Sequence, residues 1–248
     1  GKYRTNDCDG PASINNNFTG QGSVGFPAAV VIAATWNNEL ANKFGDSIGT
    51  MADQMDTAGW YGPAMNIHRT AFAGRNFEYY SEDMAANEMN GAATKGVYPY
   101  MKHFALNDQE TNRTSMLCTW ANEQAIREVY LKPFEKSVKD GGSLAVMSSF
   151  NYIGNCWAGG CSELLEDVLR GEWGFKGFVE TDYFGVYGYM NADQAIRNGT
   201  DIMLVNYATE ANDMKYTETA GAQQKLRQSA KRILYVVANS RQYSELGI

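Results

Sequence analysis

The 248-residue chain is 44% hydrophobic and 20% charged, with 25 Gly but only 5 Pro, which excludes a largely disordered chain, a collagen-like repeat and a small disulfide scaffold. Its 21 basic and 28 acidic side chains leave a net charge of −7, so no electrostatic feature points to nucleic acid or an anionic membrane as partner. No apolar stretch approaches the roughly 20 residues of a membrane span, and the compartment is not legible, cytoplasmic and secreted locations both being open.

Short apolar runs alternate with helical patterns along the chain. Strands are expected at residues 30–35, 60–66, 97–104, 144–150, 178–181 and 202–205, with a weak one near Asp7. Residues 38–55 place Leu40, Phe44, Ile48 and Met51 at helical spacing, and residues 122–138 do the same with Ala125, Ile126, Val129, Tyr130 and Phe134 until Pro133 kinks or ends the run. Residues 162–173 open on Ser162 as an N-cap and turn Leu164, Leu165, Val168 and Leu169 inward. Residues 192–198 form a short helix closed by Gly199, and 223–237 a last one with Leu226, Ala230, Ile233, Leu234 and Val237 as its apolar stripe. This alternation predicts an α/β fold of the (β/α)8 TIM-barrel type, with fewer clear strands than a complete barrel needs. No linker interrupts it, so residues 1–248 read as one domain.

Cys8, Cys118, Cys156 and Cys161 contain no C-x-x-C and read as reduced thiols. The formal G-x-G-x-x-G at Gly20–Gly25 follows no strand and opens no helix, so it is read as chance. His68 and His103 are the only histidines, and neither has metal-ligand spacing, so no metal or organic cofactor is expected. What carries chemistry is a set of polar clusters just after expected strands, where a parallel barrel places its site. They are Gly74–Asp83, then Lys102-His103-Phe104 running on to Arg113, and Glu180-Thr181-Asp182-Tyr183-Phe184. An Asp closing a buried strand among aromatics suits a carboxylate working beside a sugar ring. It also suits a helix cap or a lysine partner, and Lys102 and His103 have ion-pair and core readings of their own.

Several strings, in this order, resemble glycoside hydrolase family 3. They are Asp9-Gly10-Pro11, Phe26-Pro27-Ala28-Ala29 through Ala33-Ala34-Thr35-Trp36-Asn37, and Gly62-Pro63-Ala64-Met65-Asn66-Ile67-His68-Arg69. Gly74-Arg75-Asn76-Phe77-Glu78-Tyr79-Tyr80-Ser81-Glu82-Asp83, Lys102-His103-Phe104-Ala105 and Asn107-Asp108-Gln109-Glu110 follow. Met147-Ser148-Ser149-Phe150-Asn151, Leu169-Arg170-Gly171-Glu172-Trp173-Gly174-Phe175 and Thr181-Asp182-Tyr183 complete the series.

The resemblance implies the barrel domain of a retaining, exo-acting β-glycosidase, with β-glucosides first and β-xylosides second. By it Asp182 is the catalytic nucleophile, and Asp9, Arg75, Lys102 and His103 hold sugar hydroxyls. Met147, Phe150 and Tyr183 line the same subsite. Such a reaction needs a second carboxyl group as acid/base, which many members carry on an additional sandwich domain. The expected partners are therefore a β-glucoside or related oligosaccharide and a second domain or chain. Lys102-His103-Phe104-Ala105-Leu106-Asn107-Asp108 departs from the family's N-acetylglucosaminidase pattern, and Phe150 stands where many relatives carry Tyr. Two alternatives stay open: a carbohydrate-binding barrel without turnover, and an in-chain acid/base among Glu78, Glu82, Asp108 and Glu110.

Overall fold

The computed structural model describes residues 6–16, 19–81, 85–185, 187–205 and 213–241. Five parallel strands form its centre: β1 (Asp7–Asp9), β2 (Gly59–Tyr61), β3 (Tyr98–Phe104), β4 (Ala145–Ser148) and β5 (Phe178–Thr181). They pair side by side in chain order. A hairpin of Asn15–Asn16 with Gln21–Gly22 extends the sheet antiparallel beyond β1, and one parallel bridge from Glu180 to Ile202 continues it beyond β5. Strands β3, β4 and β5 are buried at every position, which is why each opens on an apolar run, while Lys102, His103, Glu180 and Thr181 are buried polar residues toward their finishing ends.

Among the described residues the sheet is not closed, and they show a mixed α/β fold around a mostly parallel sheet rather than a complete eight-stranded barrel. Two expected strands account for part of the difference. Residues 30–35 form helix α1 (Ala29–Ala33), with Ala29 and Ile32 buried and Val31 turned out; an apolar run this short suits either structure. Of residues 202–205 only Ile202 bridges to the sheet. A small second sheet joins Cys118–Thr119, Tyr152–Ile153 and Cys156–Trp157.

The helices follow the sequence closely in extent and less closely in detail. Helix α2 (Asn38–Gln54) is capped by the Asn37 side chain, which accepts from the Leu40 N–H at 3.0 Å. Helix α3 (Ala85–Ala93) was not legible because it packs on α2 through small residues. A Cβ at Gly45 would lie 2.0 Å from the Glu88 carbonyl oxygen, and one at Gly91 would lie 2.1 Å from that of Asn42. The short α4 (Glu123–Ala125) widens into a π-turn at Ile126–Tyr130. Pro133 then sits in the first turn of α5 (Lys132–Lys139), where its missing N–H costs nothing, so it starts a helix rather than ending one. Ser162 is itself helical and does not cap the π-helix Glu163–Glu172; its hydroxyl meets the Glu163 carboxylate instead. Helix α6 (Ala192–Arg197) ends before Gly199 at φ +110°, as expected.

The C-terminal turn of helix α7 (Ala220–Ala238) reaches the starting ends of the strands. Val236 packs among Ala58, Tyr98, Ala145 and Phe178, and Arg241 reaches the Thr57 carbonyl. Its buried face is Ser229, Val236 and Val237 with Ile233 packed beside them, so Val237 and Ile233 of the expected stripe face inward while Leu234 and Ala230 face outward. The four thiols are free, Cys118 exposed and Cys8 buried. Among the described residues no helix is long and apolar enough to cross a membrane.

A buried carboxyl makes the fold sensitive to pH. Glu88, in α3, has no exposed surface, and burial pushes its carboxyl up to about 8 from an ordinary 4.5, against the Tyr80 hydroxyl beside it. The folded chain keeps a proton that the unfolded chain has released, so stability should fall as pH rises from about 4.5 to about 8. Glu88→Gln is expected to flatten that slope and to raise the unfolding free energy at pH 8 by about 2–4 kcal/mol. Urea unfolding at pH 5 and pH 8 measures both effects.

Candidate active site

Strand β5 delivers Asp182 to the finishing end of the sheet. The Asp182 N–H donates to the Ser148 carbonyl at the end of β4, at 3.0 Å. Its Oδ1 accepts from the Tyr183 N–H at 2.7 Å, which fixes the carboxylate's orientation. Oδ2 is buried and, among the described residues, accepts no hydrogen bond; His103 Nε2 lies 3.6 Å from it and Arg113 Nη1 3.9 Å. Burial raises the carboxyl above its ordinary value, while Arg113, the Tyr183 N–H, Arg75 and Lys102 pull it back. The result is an oriented carboxylate with one oxygen free, held among cations.

Lys102 and His103 reach the site from the end of β3. Successive strand residues normally face opposite ways, yet the β3–β4 register shifts between Met101 and Phe104, and that irregularity lets both serve one site. The Lys102 ammonium donates to Asp9 Oδ1 at 3.3 Å, and Lys102 is 3% exposed. His103 is held by a reciprocal pair with Asn66: its N–H donates to Asn66 Oδ1 at 2.8 Å, and its carbonyl accepts from Asn66 Nδ2 at 2.9 Å. Burial, with Arg75, Lys102 and Arg113 nearby, drives the imidazole well below its ordinary value, so it stays neutral near pH 7.

Arg75 pairs with Glu78 and lies 3.6 Å from Glu110, with its guanidinium 5.7 Å from the centre of the Tyr79 ring. Beneath the site, Asp7 accepts from the hydroxyls of Tyr98 and Tyr100 at 2.7 and 2.6 Å. These bonds tie β1 to β3 under the level at which Asp9 and Lys102 meet.

Asp9, Lys102, His103 and Asp182 are thus brought to one end of the sheet, with Arg75 close enough to act on Asp182. Phe150 is buried and adjoins this group through Arg113, whose guanidinium sits 4.6 Å from its ring centre. Tyr183 is half-buried and contributes its N–H. Met147 pairs in register with Glu180 and packs among Tyr98, Tyr100 and Phe178, in the layer below Asp182. Glu82 lies outside the described residues. Arg113 is the functional side chain that sequence reasoning missed. Its spacing was the available signal, three residues after Glu110, whose carboxylate it meets at 3.1 Å. Among the described residues no cluster of His, Cys, Asp and Glu is arranged as a metal site.

Comparison with known proteins fits this arrangement. Residues 15–236 match the family described as "Glycosyl hydrolase family 3 N terminal domain". A relative named beta-glucosidase A from Butyrivibrio fibrisolvens is 38% identical over 185 residues, covering 72% of this chain and 22% of its own length. A beta-glucosidase from Rhizobium radiobacter is 37% identical over 203 residues, covering 78% of this chain and 24% of its own length. Among solved structures, beta-glucosidase 3B from Thermotoga neapolitana in complex with glucose superposes with a TM-score of 0.83 at 32% identity, over 96% of this chain and 36% of that one. The Bifidobacterium adolescentis GH3 beta-glucosidase gives a TM-score of 0.86 at 29% identity, over 98% and 36%. The chain therefore spans under a quarter of the length of these two curated relatives. With the family matched over most of its length, the chain belongs to glycosyl hydrolase family 3 and represents that family's N-terminal domain.

Proposed function

We propose that this chain is the nucleophile-bearing domain of a retaining, exo-acting β-glycosidase acting on β-D-glucosides, with β-xylosides as the second choice. The observation that carries the reading is the free Oδ2 of Asp182, an oriented and buried carboxylate oxygen facing Arg113 and His103. In this reading Asp182 Oδ2 bonds to the anomeric carbon as the glycosidic C–O bond breaks, and water later releases the sugar from the ester. Asp9 accepts hydrogen bonds from sugar hydroxyls, while Arg75 and Lys102 donate them. Neutral His103 adds a further polar contact, and Phe150 and Tyr183 wall the subsite. Chain-order parallel pairing and the Glu180–Ile202 bridge favour part of a (β/α)8 barrel, with residues 1–248 as one domain of a longer enzyme.

The leaving oxygen must be protonated, and among the described residues Glu78, Asp108 and Glu110 are poorly placed to do it. Glu78 and Glu110 are ion-paired with Arg75 and Arg113, and Asp108 accepts the Ile67 N–H. The proton donor is therefore assigned to a second domain or chain. The same observation favours one other reading, a carbohydrate-binding domain that never turns over. The two are separated by 2,4-dinitrophenyl β-D-glucoside, whose leaving group scarcely needs protonation. A burst of about one dinitrophenolate per chain is expected, with methyl β-D-glucoside left intact. Glucose binding without a burst would favour the binding domain.

A further inference from the structure

The segment 106–113 has two working sides. Glu110 turns toward Arg75 and Arg113 of the Asp182 site, whereas Asp108, two residues earlier, lines a separate hollow of about 380 Å3 with Arg69, Thr70, Thr119, Trp120 and Tyr130. That volume is within the range of small-ligand pockets, about 300–1,000 Å3.

The chemistry of the lining is specific. Asp108 is 8% exposed, and its Oδ1 accepts the Ile67 N–H at 3.0 Å; among the described residues its Oδ2 makes no hydrogen bond. Burial raises this carboxyl to about 7, against the Ile67 N–H and Arg69. The Arg69 guanidinium lies 5.6 Å from the centre of the Tyr130 ring, which holds its donors at the hollow. Trp120 is 75% exposed, with its ring beside Gly154 of the Tyr152–Trp157 hairpin, where a Cβ would lie 3.5 Å from it. A broad apolar ring in water beside a buried acceptor and a positioned donor matches a pyranose, which offers an apolar C–H face and vicinal hydroxyls.

We infer that this hollow is a second carbohydrate site, separate from the one at Asp182, and that it takes a glucosyl unit of a β-linked oligosaccharide. The choice of glucosyl rests on the glucoside reading above; the site itself rests on Trp120, Asp108 and Arg69. It gives the chain a second hold on a long substrate, on residues that take no part in bond cleavage.

Isothermal titration of the 248-residue chain with glucose and with cellotetraose tests this directly. The Asp182→Ala chain is expected to keep binding cellotetraose, and Trp120→Ala added to it should weaken that binding about ten-fold. Asp108→Asn, nearly isosteric, should weaken it as well. Trp120→Ala alone should leave the dinitrophenolate burst unchanged, and near-ultraviolet circular dichroism checks that the fold is kept. Unchanged cellotetraose affinity in Trp120→Ala, or complete loss of binding in Asp182→Ala, would overturn the second site while leaving the glucoside reading intact. A wild-type chain that binds neither sugar would overturn both.

Discussion

Asp182→Asn is expected to abolish glucosylation while making the fold more stable. The burst rate with 2,4-dinitrophenyl β-D-glucoside should fall by roughly 10^4-fold or more, since the amide cannot displace the leaving group. Stability moves the other way because Asp182 is buried and burial raises its carboxyl above the ordinary value of 3.8. The folded state therefore holds the proton to higher pH than the unfolded chain does. Stability contributed by this group is present at low pH and is lost as pH rises from 3.8 through the folded value. Asparagine avoids a buried charge at pH 7, so Tm should rise by about 2–4 °C there and change little at pH 3. Were Asp182 a structural partner of Arg113, the same substitution would leave a cation without its anion and lower Tm. Thermal melts at pH 3 and pH 7, beside the burst assay, decide between the two.

The largest loss of stability is expected from Arg170→Ala, outside the site. Arg170 donates to the Gly177 carbonyl at 2.8 Å, the Gly199 carbonyl at 3.0 Å and Asp201 Oδ2 at 2.8 Å. That same Oδ2 accepts the Val179 N–H at 2.9 Å, and Asp201 Oδ1 accepts from Arg232, which continues to Glu166. The network pins the first residues of β5 and so sets where Asp182 emerges. Removing the guanidinium leaves two carbonyls and a buried carboxylate short of partners, at a cost of about 3–5 kcal/mol. Arg170→Lys should recover only part of this, because an ammonium cannot span three acceptors in that geometry. Urea unfolding measures it, and a loss below about 1 kcal/mol would show that Arg232 alone holds Asp201.

Much of this was legible in the sequence, and the exceptions have physical reasons. Residues 178–181 read correctly because Phe178 and Val179 open a β-branched and aromatic run that is buried at every position, with Glu180 and Thr181 closing it just before Asp182. Helix α3 could not be read, since glycine contacts with α2 leave no hydrophobic period. The stripe of α7 was legible in part: Val237 is buried and Ile233 packs on the core, but Ala230 and Leu234 face outward, because Arg232 meets Asp201 and Glu166 and the inward face turns toward Val236. In the site, Asp9, Lys102, His103 and Asp182 were named from motifs. Their convergence depends on the β3 register shift, which leaves no mark in composition or spacing. Arg113 and Arg170 both stood within quoted strings, but only tertiary contacts separate a site cation from a strand anchor.

The central claim is that Asp182 forms a bond to the sugar. It is tested most directly by incubating the chain with 2,4-dinitrophenyl 2-deoxy-2-fluoro-β-D-glucoside, whose fluorine slows release of the sugar, and measuring the intact mass and the tryptic digest. One fluoroglucosyl group per chain is predicted, on the peptide spanning residues 177–197, and none on Asp182→Asn. An unmodified chain that still binds glucose, or an adduct carried by Glu78 or Glu110, would contradict the assignment.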